Sequence, residues 1–373
     1  MADPDTTVRL IVNGVAYEGW KGVRITRSIE ALAGSFSLDV SDRWGDESQL
    51  WPIVEEDPCK VTIGGQTVIS GYIDKRKHAG TASSISLGYS GKDKAGALVE
   101  NSFLIEESGG ASVSVAKTHK TSFRNVDISQ FVSAIAEQFA VAVSVQPGLV
   151  LVKDPLLVAH SGETAFEAIR RAAGSSGVLV VSDGNGGITI TRAGSGRAAG
   201  LILGSNILTY DIEYDATDRF HRYIISAQVP GTDESSGAAT SVLAEATDIG
   251  VRRLDRVIVI RPDKAMDAAT ARRRADWEAR TRAARAETLT VSVQGWLQPF
   301  SSNLWPINAL STVVIPRAGI NGDMLISQVE YSIADSGGQV TQLHLVRPDA
   351  FEPQPQTAVT GGTGAWKELA AGV

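Results

Sequence analysis

Leu50-Trp51-Pro52-Ile53 returns in the second half of the chain as Leu304-Trp305-Pro306-Ile307, and its surroundings return with it. Before the first copy stands the alternating run Phe36-Ser37-Leu38-Asp39-Val40, then Trp44; after it come Cys59-Lys60-Val61-Thr62-Ile63 and Val68-Ile69-Ser70-Gly71-Tyr72. The second copy follows Leu289-Thr290-Val291-Ser292-Val293 and Trp296, and precedes Thr312-Val313-Val314-Ile315 and Leu325-Ile326-Ser327-Gln328-Val329. Each copy reads as a strand leading to a tryptophan, a Trp-Pro step, and a hairpin of two strands that bury one face. Proline lacks an N–H and pushes the residue before it into extended backbone, so Trp-Pro suits a sheet edge. The indole can plug the open end of a small barrel. A chance match explains four residues but not co-linear strands on both sides, so we read the chain as one β-module carried twice.

At 373 residues the chain exceeds what one core usually serves, and about two to four domains are expected. Hydrophobic residues at 43% supply those cores. A net charge of −7 and a pI near 5.4 exclude a dedicated nucleic-acid binder, which needs a basic surface to displace counterions. Met1-Ala2-Asp3-Pro4-Asp5 lacks the basic-then-apolar order of a signal peptide, and no run is apolar enough to span a bilayer. We therefore expect a soluble protein made in a cytoplasm, without stable membrane insertion. Cys59 is the single cysteine, so no internal disulfide can form, and it reads as a small core residue.

The patterning predicts a mainly β, α+β chain. Residues 1–97 form a first β domain, a small barrel or sandwich by its strands alone and assigned as the first β-barrel domain, opening on a hairpin from Val8 to Tyr17 around Asn13-Gly14. Residues 98–200 form a small α/β domain. A polar loop through Glu106-Glu107-Ser108-Gly109-Gly110 leads to a helix capped by Asp127 with Gln130, burying Ile128, Phe131, Val132, Ile135 and Phe139. A second helix runs from Glu163 to Ala173 and stops at Gly174, and a hairpin follows from Val178 to Thr191. Residues 201–229 and 288–348 form the second barrel domain. Between them, 230–287 is an insertion with a low-complexity loop from Pro230 to Gly237, a strand from Val257 to Ile260, and a helix from Asp267 to about Glu287. That helix carries the small-residue stripe Ala268, Ala271, Ala275, Ala279, Ala283 and Ala286. Residues 349–373, with Pro353, Pro355, Gly361, Gly362 and Gly364, read as an extended tail.

No catalytic, cofactor-binding or metal site is expected. His78, His119, His160, His221 and His344 lie in separate segments without metal-ligand spacing. Gly88-Tyr89-Ser90-Gly91-Lys92 fits neither a nucleophile elbow nor a phosphate loop and reads as a turn closing the first module. Glu55-Glu56 and Glu106-Glu107 sit in loop-like segments, where carboxylates are usually solvated. The strongest charge feature is Arg272, Arg273, Arg274, Arg280, Arg282 and Arg285 on the predicted helix, preceded by Arg252, Arg253 and Arg256. We read it as a solvated face with local partners such as Asp276, Glu278 and Glu287; the other reading is a subunit contact or a wall facing passing DNA.

The run from Trp20 to Phe36, WKGVRITRSIEALAGSF, resembles the baseplate hub proteins of Mu-like bacteriophages. So do Trp51-Pro52-Ile53 with Gly71-Tyr72-Ile73-Asp74-Lys75, Ser90-Gly91-Lys92-Asp93-Lys94-Ala95-Gly96, and Glu163-Thr164-Ala165-Phe166-Glu167-Ala168-Ile169. With the second Leu-Trp-Pro-Ile, the likeness covers nearly the whole chain. The resemblance implies a homotrimer akin to the hub modules of contractile tails and type VI secretion spikes, in which two barrels per subunit make a pseudo-sixfold ring around a channel. It implies a structural protein of the virion tail baseplate, assembled in the host cytoplasm, that joins a sixfold tail tube to a threefold central spike. The implied partners are the tail tube protein, the spike protein, and wedge or tape-measure proteins, with DNA passing through the channel non-specifically during ejection. The matched motifs are structural, so Trp51, Pro52, Ile53, Trp305, Pro306 and Ile307 would position barrel ends. The alternatives are a tail-associated peptidoglycan hydrolase and a carbohydrate-binding host-attachment protein.

Overall fold

The computed structural model describes residues 6–43, 51–81, 84–102, 121–160, 162–228, 241–262, 266–333 and 338–355. Trp44, Leu50, the Glu106 to Gly110 loop, His119, Pro230 to Gly237 and the glycines of the tail lie outside them. The chain divides into two units, Met1–Asp218 with Thr281–Pro353, and Arg219–Arg280 with Gln354–Val373.

The first unit opens with β1 (Val8–Val12) and β2 (Val15–Tyr17), turned by Asn13 and Gly14 at φ 51° and 80°, the two positive values a tight hairpin requires. Then come β3 (Gly22–Ser28), β4 (Ser35–Arg43), β5 (Pro58–Ile63), β6 (Gln66–Gly80), β7 (Ser84–Asp93) and the short helix α1 (Gly96–Glu100). The expected turn at Gly88 to Lys92 is instead the interior of β7. Its glycines are there for clearance: a Cβ at Gly91 would stand 2.0 Å from the Tyr72 carbonyl oxygen and 2.9 Å from the Phe36 ring. Cys59, 4% exposed, has its thiol pushed up to about 12 by burial, which keeps it protonated and unreactive.

The α/β region follows as β8 (Ser122–Asp127), α2 (Ile128–Ala136), β9 (Ala142–Val145), β10 (Lys153–Val158), α3 (Ala165–Ser176), β11 (Leu179–Ser182) and β12 (Gly187–Thr191). β12 lies between β11 and β9, and β8 pairs with β10. Asp127 caps α2 through a capping box with Gln130, and Thr164 caps α3 through one with Glu167. α3 does not stop at Gly174. It continues to Gly177, where φ of 69° gives the left-handed C-cap that glycine adopts without strain.

Next come β13 (Gly196–Arg197), β14 (Leu201–Ile202) and β15 (Ile207–Tyr214), then the second unit with β16 (Arg222–Gln228), β17 (Ser241–Thr247), β18 (Val257–Ile260) and most of α4 (Ala268–Arg285). Of the segment 201–229, β15 therefore belongs to the first unit's sheet, while β16 pairs with β17 and β18. In the second unit Ala271 and Ala275 are fully buried with Ile225, Ala227, Ala246 and Met266, as a small-residue stripe permits, but Ala268 is exposed. α4 begins on Asp267, whose carboxylate accepts from the Thr270 N–H at 2.6 Å, and ends at Arg285 because β19 (Glu287–Gln294) starts at once. β20 (Ala309–Ile315), β21 (Ile320–Ile333) and β22 (Gln339–Val346) complete the first unit.

The strand order exposes the duplication. In the first half the sheet runs β3-β4-β7-β6-β5; in the second it runs β15-β19-β22-β21-β20, so strands of the same rank in each copy have the same neighbours, all antiparallel. Both long strands, β6 and β21, carry a register shift against the next strand, between Ile73 and Lys75 and between Ile326 and Gln328. These shifts, 253 positions apart, correct the sequence pairing of Val68 to Tyr72 with Leu325 to Val329. Ile73 is the counterpart of Ile326, and the similar runs are offset by four residues because alternating apolar strands match equally well at any even slip.

The two copies are joined in one sheet. β21 pairs with β3 from Gln328 opposite Ser28 to Ser332 opposite Arg24, and one apolar cluster runs from Leu10, Ile25 and Leu38 to Val291, Trp305 and Leu343. Among the described residues the strand path is open, from β15 at one end to β2 at the other, and does not close into two hydrogen-bonded cylinders.

Candidate functional site: the duplicated module and its seam

The tetrapeptides mark equivalent corners of different depth. Trp51 is half-buried against an aromatic cluster, 4.9 Å from the Tyr17 ring centre, 5.3 Å from Trp20 and 6.1 Å from Tyr89. Pro52 is exposed and Ile53 fully buried. Trp305 is 2% exposed, with Pro306 and Ile307 half-buried. The Trp305 carbonyl accepts from the Tyr331 hydroxyl at 2.5 Å, and burial raises the Tyr331 phenol well above its ordinary range. The Trp305 indole N–H is buried without a partner among the described residues. Beside it lies a cleft of about 270 Å³ bordered by Ile207, Leu208, Val293 and Leu297, whose lining holds no titratable side chain.

One residue seals each corner in the same way, Glu56, which the sequence offered only as a loop carboxylate, and Asn308, which it did not single out. Glu56 and Asn308 both adopt the left-handed conformation, at φ 70° and 57°, and donate their N–H groups to the carbonyls of Ile73 and Ile326 at 2.7 and 2.9 Å. Asparagine at Asn308 is a legible signal for that conformation, whereas glutamate at Glu56 is not. Asn308 also clasps the chain ahead of the second module, accepting from Gly194 N–H at 3.0 Å and donating to the Arg192 carbonyl at 2.8 Å.

The internal seam is polar on its outer face. On β3, Arg24 Nε lies 3.4 Å from Glu330 of β21, and the Thr26 hydroxyl donates to the same carboxylate at 3.4 Å. A second junction ties the first module to the β11–β12 hairpin through Asp93, 3% exposed. Its carboxylate accepts from Gly34 N–H at 2.8 Å, Ala95 N–H at 2.9 Å and the Ser182 hydroxyl at 2.7 Å, while Arg27 donates to the Ser182 carbonyl at 3.0 Å.

Burial raises the Asp93 carboxyl above its usual value, against the opposing pull of those hydrogen bonds and of Arg27. An acid raised in this way binds its proton more tightly when folded, so its contribution to stability is full below the unfolded value and is lost as pH rises through the folded one. Asp93→Asn is expected to destabilise by about 1–3 kcal/mol, because an amide nitrogen must face at least one buried donor. Chemical denaturation at about pH 4 and about pH 8 should show the larger loss at the lower pH; the reverse order would refute this account.

Of the α4 arginines, Arg272 pairs with Asp276 at 3.4 Å and Arg274 with Glu278 at 2.7 Å, the latter pair largely buried, while Arg273 donates to the Thr270 hydroxyl at 2.9 Å. Arg282 and Arg285 donate to the carbonyls of Asp218 and Ala350, and Arg280 is exposed. Asp276 and Glu278 are local partners, but the buried Arg274–Glu278 pair departs from the wholly solvated face that was expected. No described helix is long and apolar enough to cross a membrane.

Three family models match the chain. Residues 7–93 match the N-terminal domain of Mu phage baseplate assembly protein GpP-like, 113–192 the second domain of baseplate hub protein gp44-like, and 267–354 the fourth domain of Mu phage baseplate assembly protein GpP. The chain is 31% identical over 361 residues to baseplate hub protein gp44 of Escherichia phage Mu, covering 92% of this chain and 89% of that one. Its fold is similar to the 43 kDa tail protein of prophage MuSo2 from Shewanella oneidensis, with TM-score 0.79 and 28% identity over 93% of this chain and 99% of the other. It is also similar to a tail protein from Neisseria meningitidis MC58, with TM-score 0.76 and 21% identity over 94% and 99%. A twice-built β-module joined edge to edge, in a chain matched end to end by tail proteins, defines a structural component of a phage tail. The chain belongs to the baseplate hub family of Mu-like phages, and its function is that of a structural baseplate hub protein.

Proposed function

We propose that three copies assemble into a ring in which each chain contributes two barrel-like modules, giving six near-equivalent positions around a channel. The observation that carries this reading is the recurrence of one strand order twice in one polypeptide. The domain division read from the sequence is part of it, with β16 assigned to the insertion rather than to the second module, and with the Trp-Pro corners holding the module ends. Such a ring adapts the sixfold tail tube to the threefold central spike, with wedge or tape-measure proteins beside or within it and DNA passing without sequence readout. Its work is mechanical rather than catalytic, it is assembled in the host cytoplasm, and the α4 arginines serve within the chain, as their ion pairs support.

Native mass measurement with averaged particle images of the purified chain is expected to give a trimer with six lobes around an opening. A monomer at every concentration, or a sheet without sixfold features, would overturn the ring. Digestion of purified cell wall by the chain would instead support the hydrolase reading.

A further inference from the structure

The seam between the two modules is made once inside the chain, and the equivalent pair of edges exists a second time without a partner. Within the chain β3 of the first copy pairs along β21 of the second. The counterpart of β3 is β15, and the counterpart of β21 is β6. β15 has β19 on one side and, from Leu208 onward, no strand on the other among the described residues; Leu208, Tyr210 and Tyr214 are exposed. On β6, pairing with β5 ends at Tyr72, the Ile73 backbone is taken by Glu56 and Asp57, and the residues beyond are almost all exposed. A long open edge bearing tyrosines invites another strand unless something blocks it.

We propose that β15 of one copy pairs antiparallel with the second half of β6 in the next copy, in the register that β3 and β21 use internally. The proposal rests on the trimeric ring and specifies its seam. Carried over through the matched pairings, the internal register sets Asp211 opposite Ala79, Glu213 opposite Lys77 and Asp215 opposite Lys75. Charge supports the match independently. Where β21 carries Glu330, β6 carries Lys77; where β3 carries Arg24, β15 carries Asp211. Among the described residues no ion pair occupies Lys77, Asp211 or Glu213.

The reversal makes the two seams exclusive. Swapped partners would set Arg24 near Lys77 or Asp211 near Glu330, and like charges across a strand pair are unfavourable. Internal and external seams must then alternate, and a head-to-tail contact of this kind gives a closed ring or an open filament and not a dyad-related pair, the ring being the outcome proposed above.

The test is made on the full chain. Lys77→Cys with Glu213→Cys is expected to give covalent dimers and trimers on mild oxidation, whereas Lys77→Cys with Thr209→Cys, four residues out of register, gives none. Lys77→Glu is expected to weaken the trimer about tenfold or more at low salt, with recovery when Glu213→Lys is added. A wild-type trimer whose 77–213 pair fails to cross-link overturns this seam and leaves the ring standing. A wild-type chain that never leaves the monomer overturns both.

Discussion

Gly71→Ala is expected to lower stability by about 3 kcal/mol or more, and to reduce the yield of folded protein sharply. A Cβ at Gly71 would stand 1.9 Å from the Lys92 carbonyl oxygen and 2.6 Å from Asp93 Cα, so the obstacle is backbone and no rotamer change relieves it. Gly71 pairs with Cys59 on β5 and with Asp93 on β7, so a shift there disturbs two ladders and the Asp93 network together. For a unit of this size the melting midpoint should fall by about 5 °C. Gly174→Ala is the matched control. It lies inside α3 with nothing within 4 Å of the added methyl, and alanine there should stabilise by up to about 1 kcal/mol. Equal midpoints for the two variants would refute the clearance argument.

Trp305→Ala is expected to cost about 3–5 kcal/mol, since it empties a site 2% exposed at the point where both modules share their core. Trp51→Ala should cost less, because Trp51 is half-buried and its neighbours Tyr17, Trp20 and Tyr89 can close over the gap. Trp305→Phe separates ring packing from hydrogen bonding. The indole N–H has no partner among the described residues, so phenylalanine keeps most of the buried ring while removing an unsatisfied donor. Denaturant titration should rank the losses Trp305→Ala, then Trp51→Ala, then Trp305→Phe; a different order would show that the corners are held by something other than ring burial.

The tetrapeptide led to a mainly β chain with one strand order carried twice, because Trp-Pro and period-2 alternation are local signals that survive duplication; it did not show that the strand path stays open. The capping box at Asp127 and the hairpin at Asn13-Gly14 were legible for the same reason, each being a short-range rule; the box at Thr164 obeys the same rule, yet the second helix was started ahead of that cap, at Glu163. The seam was not. Nothing in Val23 to Arg27 announces that its partner is Val329 rather than a strand nearby, because strand choice is set by long-range packing. The glycines of β7 were misread as a turn, since clearance and positive φ draw on the same residue and only the φ values distinguish them. The matched roles of Glu56 and Asn308 were hidden because the two side chains share no chemistry; the backbone alone repeats.

Where the second copy differs most from the first, the difference is confined to a single rung. Tyr214 pairs with Glu287, and one residue beyond, the Asp215 N–H meets the Ala286 carbonyl at 2.8 Å. The chain departs after this rung, builds β16, β17, β18 and α4, and comes back to it; the first copy crosses the same point between β3 and β4 with only the residues from Ile29 to Gly34. Lengthening such an excursion adds little closure entropy. The rung is therefore a tolerant point of departure, at which an insertion of another length could be spliced in while the sheet on either side keeps its lattice of hydrogen bonds.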